Sequence, residues 1–174
     1  HVALEASSHG LDQFRLDGIK PKAAAFTNLT RDHLDYHADM AAYRAAKERL
    51  FAALLPRDGV AVINLDDETG AAIATGCVAR GQRVIGYGRN ERAELRLLAA
   101  RPTAAGQALT MSVLGAECKV TLPLIGEFQA MNALAALGLA IATGADAKRA
   151  TGSLGSLQGA PGRMERIGSH PSGA

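Results

Sequence analysis

The 174-residue sequence contains no tryptophan, and aromatic residues make up only 4% of it. Alanine and glycine are abundant instead, and this composition favours closely packed helices and strands over an aromatic-rich β-sandwich. Hydrophobic residues make up 48% of the chain, which is enough to form a substantial core. At this length we expect one large domain, or one domain with a piece of another.

The sequence also has few cysteines, a small net charge and no long apolar run. Cys77 and Cys118 form no C-x-x-C pair, and we interpret them as ordinary thiols in a reducing cytoplasm. The formal net charge is only +2 and basic residues do not alternate with aromatic ones, so we expect no nucleic-acid partner. We find no signal peptide and no apolar run of about 20 residues, so we expect no membrane insertion. The chain starts at His1 within a strand-like run, and we expect a piece of a longer protein.

Apolar runs of strand length alternate with helix-length segments over the first half of the chain. Strands are predicted at residues 1–6, 22–26, 60–64 and 83–88. Nearly continuous apolar strands are typical of a parallel sheet that helices cover on both faces, and the alternation predicts right-handed βαβ units. The sequence therefore predicts an α/β fold with a mostly parallel sheet flanked by helices.

The pattern changes after residue 92. Three short strands at 93–100, 108–114 and 117–122, joined by glycine-containing turns, predict a small antiparallel three-stranded sheet at one side. Two helices follow, at 129–143 and from the cap Asp146 to about 157. The remainder is predicted to form a turn at 160–162, a strand at 163–167 and a linker at 168–174. We place the domain boundary between residues 160 and 161, with 161–174 starting a second domain or linker.

A dense polar segment, T-N-L-T-R-D-H-L-D-Y-H, follows the second predicted strand at residues 27–37. Because carboxyl ends of parallel strands share one edge of a sheet, Glu5 and His33 are predicted to face the same crevice. A carboxylate and an imidazole with neighbouring polar groups suit a Mg²⁺ site completed by water and phosphate. The alternative is that both residues are structural and only make hydrogen bonds.

Other site types lack their signatures. The cysteines and histidines are not spaced for zinc. A serine hydrolase acting through Ser7 or Ser8 would need a G-x-S-x-G elbow, which is absent. Neither a G-x-x-x-x-G-K-[ST] loop nor a G-x-G-x-x-G turn occurs, so any nucleotide-binding function must take its phosphate loop from outside this chain.

Lys47 lies in the middle of an apolar helix face. The helix is predicted from the cap Asp39 to about Leu55, and its apolar positions are Met40, Tyr43, Leu50, Phe51 and Leu54. One interpretation is that the lysine stem covers the core while the ammonium reaches solvent. The other is a partly desolvated amine whose neutral form adds CO₂, giving a carbamate that serves as an anionic metal ligand.

Five segments resemble the motifs of the Mur ligases, the ATP-dependent amide-forming enzymes of peptidoglycan synthesis. They are E-A-S-S-H-G-L-D-Q-F-R at 5–15, F-T-N-L-T-R-D-H-L-D-Y-H at 26–37, A-A-K at 45–47, L-I-G-E-F-Q-A-M-N at 124–132 and P-G-R-M-E at 161–165. They occur in the family's order and are most similar to the branch that adds the third residue of the peptide. The resemblance implies the family's central domain, which is P-loop NTPase-like, without its phosphate-loop portion.

The resemblance also implies a role for individual residues. Glu5 and His33 would hold Mg²⁺, and Lys47, as its carbamate, would hold a second Mg²⁺, with Lys47 and His33 taking part in catalysis. The residues implied to contact the UDP-muramoyl-peptide are Ser7, Gln13 and Arg15. Those implied to contact ATP are Asn132, Gln129 and Arg163. Gln129 departs from the family, which usually has asparagine there.

The implied reaction joins an amino acid, meso-diaminopimelate or L-lysine, to UDP-MurNAc-dipeptide, which is UDP-N-acetylmuramoyl-L-alanyl-D-glutamate. ATP is the co-substrate, and an acyl-phosphate is the intermediate. We expect the isolated chain to be inactive because the phosphate loop and the C-terminal domain that selects the amino acid are missing from it. The alternatives are a ligase similar to folylpolyglutamate synthetase, which shares the central fold, and a non-catalytic binding module.

Overall fold

The computed structural model describes residues 2–30 and 36–159 of the chain. The strands in this part are β1 (Ala23–Phe26), β2 (Val60–Asn64), β3 (Arg83–Gly88), β4 (Leu95–Thr103), β5 (Gly106–Val113) and β6 (Ala116–Leu122). The helices are α1 (Ser8–Asp12), α2 (Met40–Arg49), α3 (Glu68–Ala79), α4 (Glu127–Ala142) and α5 (Ala147–Ser153). A π-helical turn, Leu50–Leu54, extends α2, and a 3-10 turn, Leu154–Ser156, extends α5. Within the described ranges, no helix combines the length and apolarity needed to cross a bilayer.

The six strands form one sheet in the order β1 to β6. β1 to β4 are parallel, and β4, β5 and β6 pair antiparallel, which confirms the predicted α/β class and the three antiparallel strands. The antiparallel strands do not stand apart from the parallel ones. Leu95 and Arg96 at the start of β4 pair with Tyr87 and Gly88 at the end of β3, so the sheet is continuous.

The strand predicted at residues 1–6 is not formed. The described residues 2–7 have no regular secondary structure, and Val2 and Leu4 are 89% and 53% exposed. Among the described strands, β1 pairs with β2 alone, so this segment has no neighbour to take up its backbone hydrogen bonds. The prediction was wrong because apolar pattern alone does not supply a pairing partner. Glu5 therefore does not lie at the carboxyl end of a strand.

Polar side chains form the N-caps of four of the described helices. Asp39, Asp67 and Asp146 cap α2, α3 and α5, and each accepts the N–H of the residue three positions later at 2.8 to 3.0 Å. Each such cap contributes about 1 kcal/mol. Ser7 caps α1, because its hydroxyl accepts the N–H of Gly10 at 3.1 Å.

The residues of β2 alternate between two cores, one on each face of the sheet. Val60 and Val62 belong to the core beneath α4, whereas Ala61 and Ile63 belong to the core with α3 and the π-helical turn. All four are at most 8% exposed. The apolar run of β2 thus follows from burial on both faces, as the sequence predicts.

Tyr87 connects β3 to β1 across the intervening strand. Its side chain is 1% exposed, and its hydroxyl donates to the carbonyl of Phe26 at 3.2 Å. Burial raises the pKa of the Tyr87 phenol above its ordinary value, and the carboxylates of Asp66 and Asp67 raise it further. The neutral phenol is therefore a fixed part of the folded sheet.

We expect Tyr87→Phe to lower the free energy of unfolding by about 1 kcal/mol at neutral pH, because one buried hydrogen bond is lost. In the unfolded wild type the phenol ionises near pH 10, while in the folded protein it stays neutral, so wild-type stability falls as pH rises above about 10. The difference between wild type and variant should therefore shrink at alkaline pH. Urea denaturation at pH 7 and above pH 10 measures this, and a difference that does not change with pH would contradict it.

Candidate functional site

Hydrogen bonds join the loops at the carboxyl edge of the parallel strands. Asn64, at the end of β2, donates from its side chain to the carbonyl of Thr27 after β1, at 2.7 Å. The backbone N–H of Leu29 donates to the carboxylate of Asp67 at 3.2 Å, while the other oxygen of Asp67 caps α3. The loop that carries the polar motif is thus held at its start by β2 and α3.

The loop after β3 reaches the same edge. Asp66 accepts the backbone N–H groups of Arg89 and Asn90 at 2.7 to 3.0 Å. The guanidinium of Arg89 forms an ion pair with Glu127 in the first turn of α4. The N-terminus of α4, where the ATP-contacting residues are predicted, is therefore placed at the carboxyl edge of the sheet. Sequence reasoning missed this ion pair, because 38 positions separate the partners.

Two predicted site segments meet at Tyr36. The side-chain amide of Gln13 donates to the Tyr36 hydroxyl at 3.1 Å, and that hydroxyl donates to Asp12 at 2.9 Å. The ring of His9 lies 3.8 Å from the ring of Tyr36, centroid to centroid. The end of α1 and the end of the 27–37 motif therefore form one unit.

A series of ring contacts continues from this unit into α2. The ring centroids of Tyr36 and His37 are 4.8 Å apart, and the His37 ring stacks on the Tyr43 ring with centroids 5.2 Å apart. The amine of Lys47 lies 5.3 Å from the centre of the Tyr43 ring. We call His9, Tyr36, His37 and Tyr43 the ring cluster. It places Gln13 and Lys47, predicted as substrate contact and catalytic residue, at its two ends.

Lys47 lies where the helix periodicity places it. Tyr43, Phe51 and Leu54 on the same face are buried, and Lys47 itself is half-buried. Its ammonium faces an aromatic ring, an arrangement that contributes about 0.5–1 kcal/mol at a partly exposed site. The predicted apolar face is confirmed, and the carbamate stays a prediction.

Two polar atoms in this region are buried without a partner. Within the described part of the chain, the Ser8 hydroxyl and His37 Nε2 make no hydrogen bond, and the two residues are only 2% and 5% exposed. An unsatisfied buried group costs about 1–3 kcal/mol, so its retention in a fold requires an explanation. Among the residues that the structure describes, the Ser8 hydroxyl makes no hydrogen bond and the Ser7 hydroxyl caps α1, so neither serine is hydrogen-bonded to a general base there.

The loop after α1 is fixed to α2 by Arg49. Its guanidinium donates to both oxygens of Asp17 at 2.6 and 2.7 Å, and to the carbonyl of Leu11 at 3.2 Å. The hydrogen bond from Arg49 lowers the pKa of the Asp17 carboxyl below its ordinary value. The turn that carries Gln13 and Arg15 is therefore held in one orientation.

The remaining predicted site residues are only partly brought together. Asn132 donates to Gln129 at 3.2 Å on the exposed first turns of α4. Glu5 is exposed and, within residues 2–30 and 36–159, forms no hydrogen bond or ion pair. His33 and Arg163 lie outside the described residues, as do the turn at 160–162, the strand at 163–167, the linker at 168–174 and the predicted domain boundary.

The described residues alone do not form the predicted Mg²⁺ site. Nowhere in this part of the chain do three or more histidine, cysteine, aspartate or glutamate residues cluster as metal ligands. Two of the three predicted ligands, Glu5 and Lys47, are described, and the third, His33, is not.

Comparison with known sequences identifies close relatives. The chain is 51% identical over 173 residues to the UDP-N-acetylmuramoyl-L-alanyl-D-glutamate–2,6-diaminopimelate ligase of Caulobacter vibrioides, covering 99% of this chain and 35% of that protein. It is 50% identical over 171 residues to the ligase of the same name from Bradyrhizobium diazoefficiens, covering 97% and 35%. The chain thus spans about a third of the length of these relatives.

Comparisons with solved structures and with family models point to the same type of ligase. A structure of a UDP-N-acetylmuramoyl-L-alanyl-D-glutamate–2,6-diaminopimelate ligase superposes with a TM-score of 0.84 at 34% identity, covering 95% of this chain and 34% of that one. The folylpolyglutamate synthase of Mycobacterium tuberculosis superposes at 0.70 with 28% identity, covering 88% and 35%. Residues 1–140 match the family described as Mur ligase middle domain, and the chain therefore belongs to that family.

Proposed function

We propose that this chain is the central part of a bacterial, cytoplasmic ligase that adds the third residue to UDP-MurNAc-dipeptide in peptidoglycan synthesis (a MurE-type enzyme). The observation that carries the proposal is the ring cluster, which joins Gln13, the end of the 27–37 motif and Lys47 in one unit. The family resemblance implies a substrate contact at Gln13 and a catalytic role for Lys47. Relatives at 50% and 51% identity carry the name of this ligase.

The proposed reaction has two steps. A carboxylate oxygen of the D-glutamyl residue attacks the γ-phosphorus of ATP, the bond to the bridging oxygen breaks, and ADP leaves. The amine of the incoming amino acid then attacks the acyl carbon, the C–O bond to phosphate breaks, and the nitrogen loses a proton as the amide forms. When bound, Mg²⁺ would offset the charge on the transferring phosphoryl group. Glu5 and His33 would hold one ion, and the Lys47 carbamate would hold a second.

The residues of this chain would bind and orient the reactants. Gln13 and Arg15, at the turn fixed by Arg49, would contact the muramoyl-peptide. Asn132 and Gln129 would contact ATP at the start of α4, which lies at the carboxyl edge of the sheet where α/β proteins bind ligands. Positioning of this kind accounts for a large share of catalysis in phosphoryl transfer.

The proposed amino acid is meso-diaminopimelate, because the relatives at 50% and 51% identity are named for 2,6-diaminopimelate. L-Lysine is the competing substrate. A folylpolyglutamate synthetase-like activity is less favoured. The solved folylpolyglutamate synthase structure superposes on this chain with a TM-score of 0.70, whereas the diaminopimelate ligase structure superposes with 0.84.

The proposal predicts the substrate dependence of phosphate release by the complete protein. Release from ATP should require UDP-MurNAc-dipeptide together with meso-diaminopimelate, and L-lysine should give a much lower rate. The isolated 174-residue chain should release none. Turnover with a folate and glutamate, or the same release with every amino acid omitted, would contradict the proposal.

A further inference from the structure

Phe14 occupies a backbone position that normally belongs to glycine. The N–H of Arg15 donates to the carbonyl of Gly10 at 2.9 Å, and the N–H of Phe14 donates to the carbonyl of Leu11 at 3.3 Å. This pair of bonds is the Schellman motif that ends α1, and Phe14 is the residue in the left-handed conformation, with φ of 57°. A side chain with a Cβ is strained there, so the sequence contradicts the local preference.

Burial does not compensate for this strain. The Phe14 side chain is 62% exposed, so its ring is removed from water only in part. The guanidinium of Arg49 lies over the ring, with its central carbon 4.3 Å from the ring centroid. Because Asp17 and the carbonyl of Leu11 hold that guanidinium, the ring packs against a fixed group, while 62% of the side chain stays exposed.

The position of the ring points to a ligand. Phe14 lies between Gln13, which is bonded to the ring cluster, and Arg15, which is exposed beside it. Backbone strain retained without a gain in packing is concentrated at ligand-contacting sites. Binding sites combine aromatic surface with a few polar and charged groups that fix the ligand's orientation.

We propose that Phe14 is a binding residue for the nucleotide-linked glycopeptide and packs its open ring face against apolar C–H groups of that substrate. Arg15 and Gln13 then bind the charged and amide groups of the substrate on either side of the ring. The inference rests on the proposed function, since it assigns a further contact to the same substrate. It excludes a role for Phe14 in binding ATP.

The test is Phe14→Gly in the complete protein, because glycine relieves the backbone strain while removing the ring. We expect the Kd for UDP-MurNAc-dipeptide, measured by titration calorimetry without ATP, to rise about tenfold, and its KM to rise in parallel. The KM for ATP and kcat should stay within about twofold of wild type, and the thermal midpoint should not fall. Phe14→Tyr should bind the dipeptide substrate as wild type does.

Leu114→Gly is the matched control. Leu114 also has a positive φ, 51°, and is 48% exposed, but it lies in the turn between β5 and β6. This variant should show the same relief of strain and an unchanged Kd. An unchanged Kd in Phe14→Gly, or equal losses for both substrates with a lower thermal midpoint, would overturn the proposal. A wild type that binds the dipeptide substrate but forms no amide would instead refute the proposed function.

Discussion

Replacing Lys47 with arginine is expected to lower the kcat of the complete protein by at least about 100-fold, within the range seen when a group that stabilises transition-state charge is removed. Arginine keeps a positive charge and a long apolar stem, so the contact with the Tyr43 ring persists. A guanidinium stays protonated in proteins and cannot add CO₂, so the carbamate cannot form. The variant thus separates the two interpretations of Lys47, because a lysine that only covers the core tolerates arginine.

The matched control for Lys47 is Arg44→Ala on another face of α2. Arg44 forms an exposed pair with Glu48, and its loss should change the free energy of unfolding by less than about 0.5 kcal/mol. Its kcat should equal that of wild type. A carbamate signal from ¹³C-bicarbonate should appear in the NMR spectrum of wild type and Arg44→Ala, and be missing in Lys47→Arg. Wild-type kcat in Lys47→Arg would show that Lys47 only packs against the core.

Gly70→Ala is expected to lower the free energy of unfolding by about 2–3 kcal/mol. A Cβ on Gly70 would overlap the backbone carbonyl oxygen of Asn64 and lie 3.3 Å from the ring of Phe26. The start of α3 would have to move away from the end of β2. Since the Asn64 side chain also holds the carbonyl of Thr27, the loop that carries the polar motif would move with it.

Gly76→Ala in the same helix serves as the comparison. Its Cβ would meet only the end of the Arg80 side chain, at 3.4 Å, so alanine's higher helix propensity should stabilise the protein by about 0.5–1 kcal/mol. Urea denaturation of both variants measures the difference. Effects of equal sign and size at the two positions would show that the close approach of α3 to β2 is not needed for stability.

The parts of the fold set by local chemistry were predictable from the sequence. The strands at 22–26, 60–64 and 83–88 follow from apolar runs that burial on both faces requires. The caps Asp39 and Asp146 follow from an aspartate placed three residues before a backbone N–H that it can accept. The apolar runs and the capping aspartates can both be read directly from a single sequence.

Features that depend on distant partners were not predictable. The strand expected at residues 1–6 had the right composition, but pairing depends on a neighbouring strand that composition does not reveal. The bond from Tyr87 to the carbonyl of Phe26 joins residues 61 positions apart. The continuity of the sheet depends on the pairing of Leu95 with Tyr87, whereas the sequence shows only that short strands follow β3.

The candidate site also combines features that the sequence predicted with features that only the structure shows. Periodicity places Lys47 on an apolar face, but only the structure shows Tyr43 beneath its amine. The resemblance assigns Ser7 to the substrate, and the structure shows its hydroxyl capping α1, so a substrate contact for Ser7 stays a prediction. His37 carried no signal beyond being the second histidine of its motif, although its ring belongs to the ring cluster and its buried Nε2 makes no hydrogen bond within residues 2–30 and 36–159.

The most direct test of the proposed ligase function follows one oxygen atom. The complete protein is given UDP-MurNAc-dipeptide labelled with ¹⁸O in the D-glutamyl carboxylate, with ATP and meso-diaminopimelate. An acyl-phosphate intermediate predicts one ¹⁸O in each released phosphate, because the P–O bond formed in the first step survives and the C–O bond breaks in the second. Mass spectrometry that finds amide product with unlabelled phosphate would contradict the account.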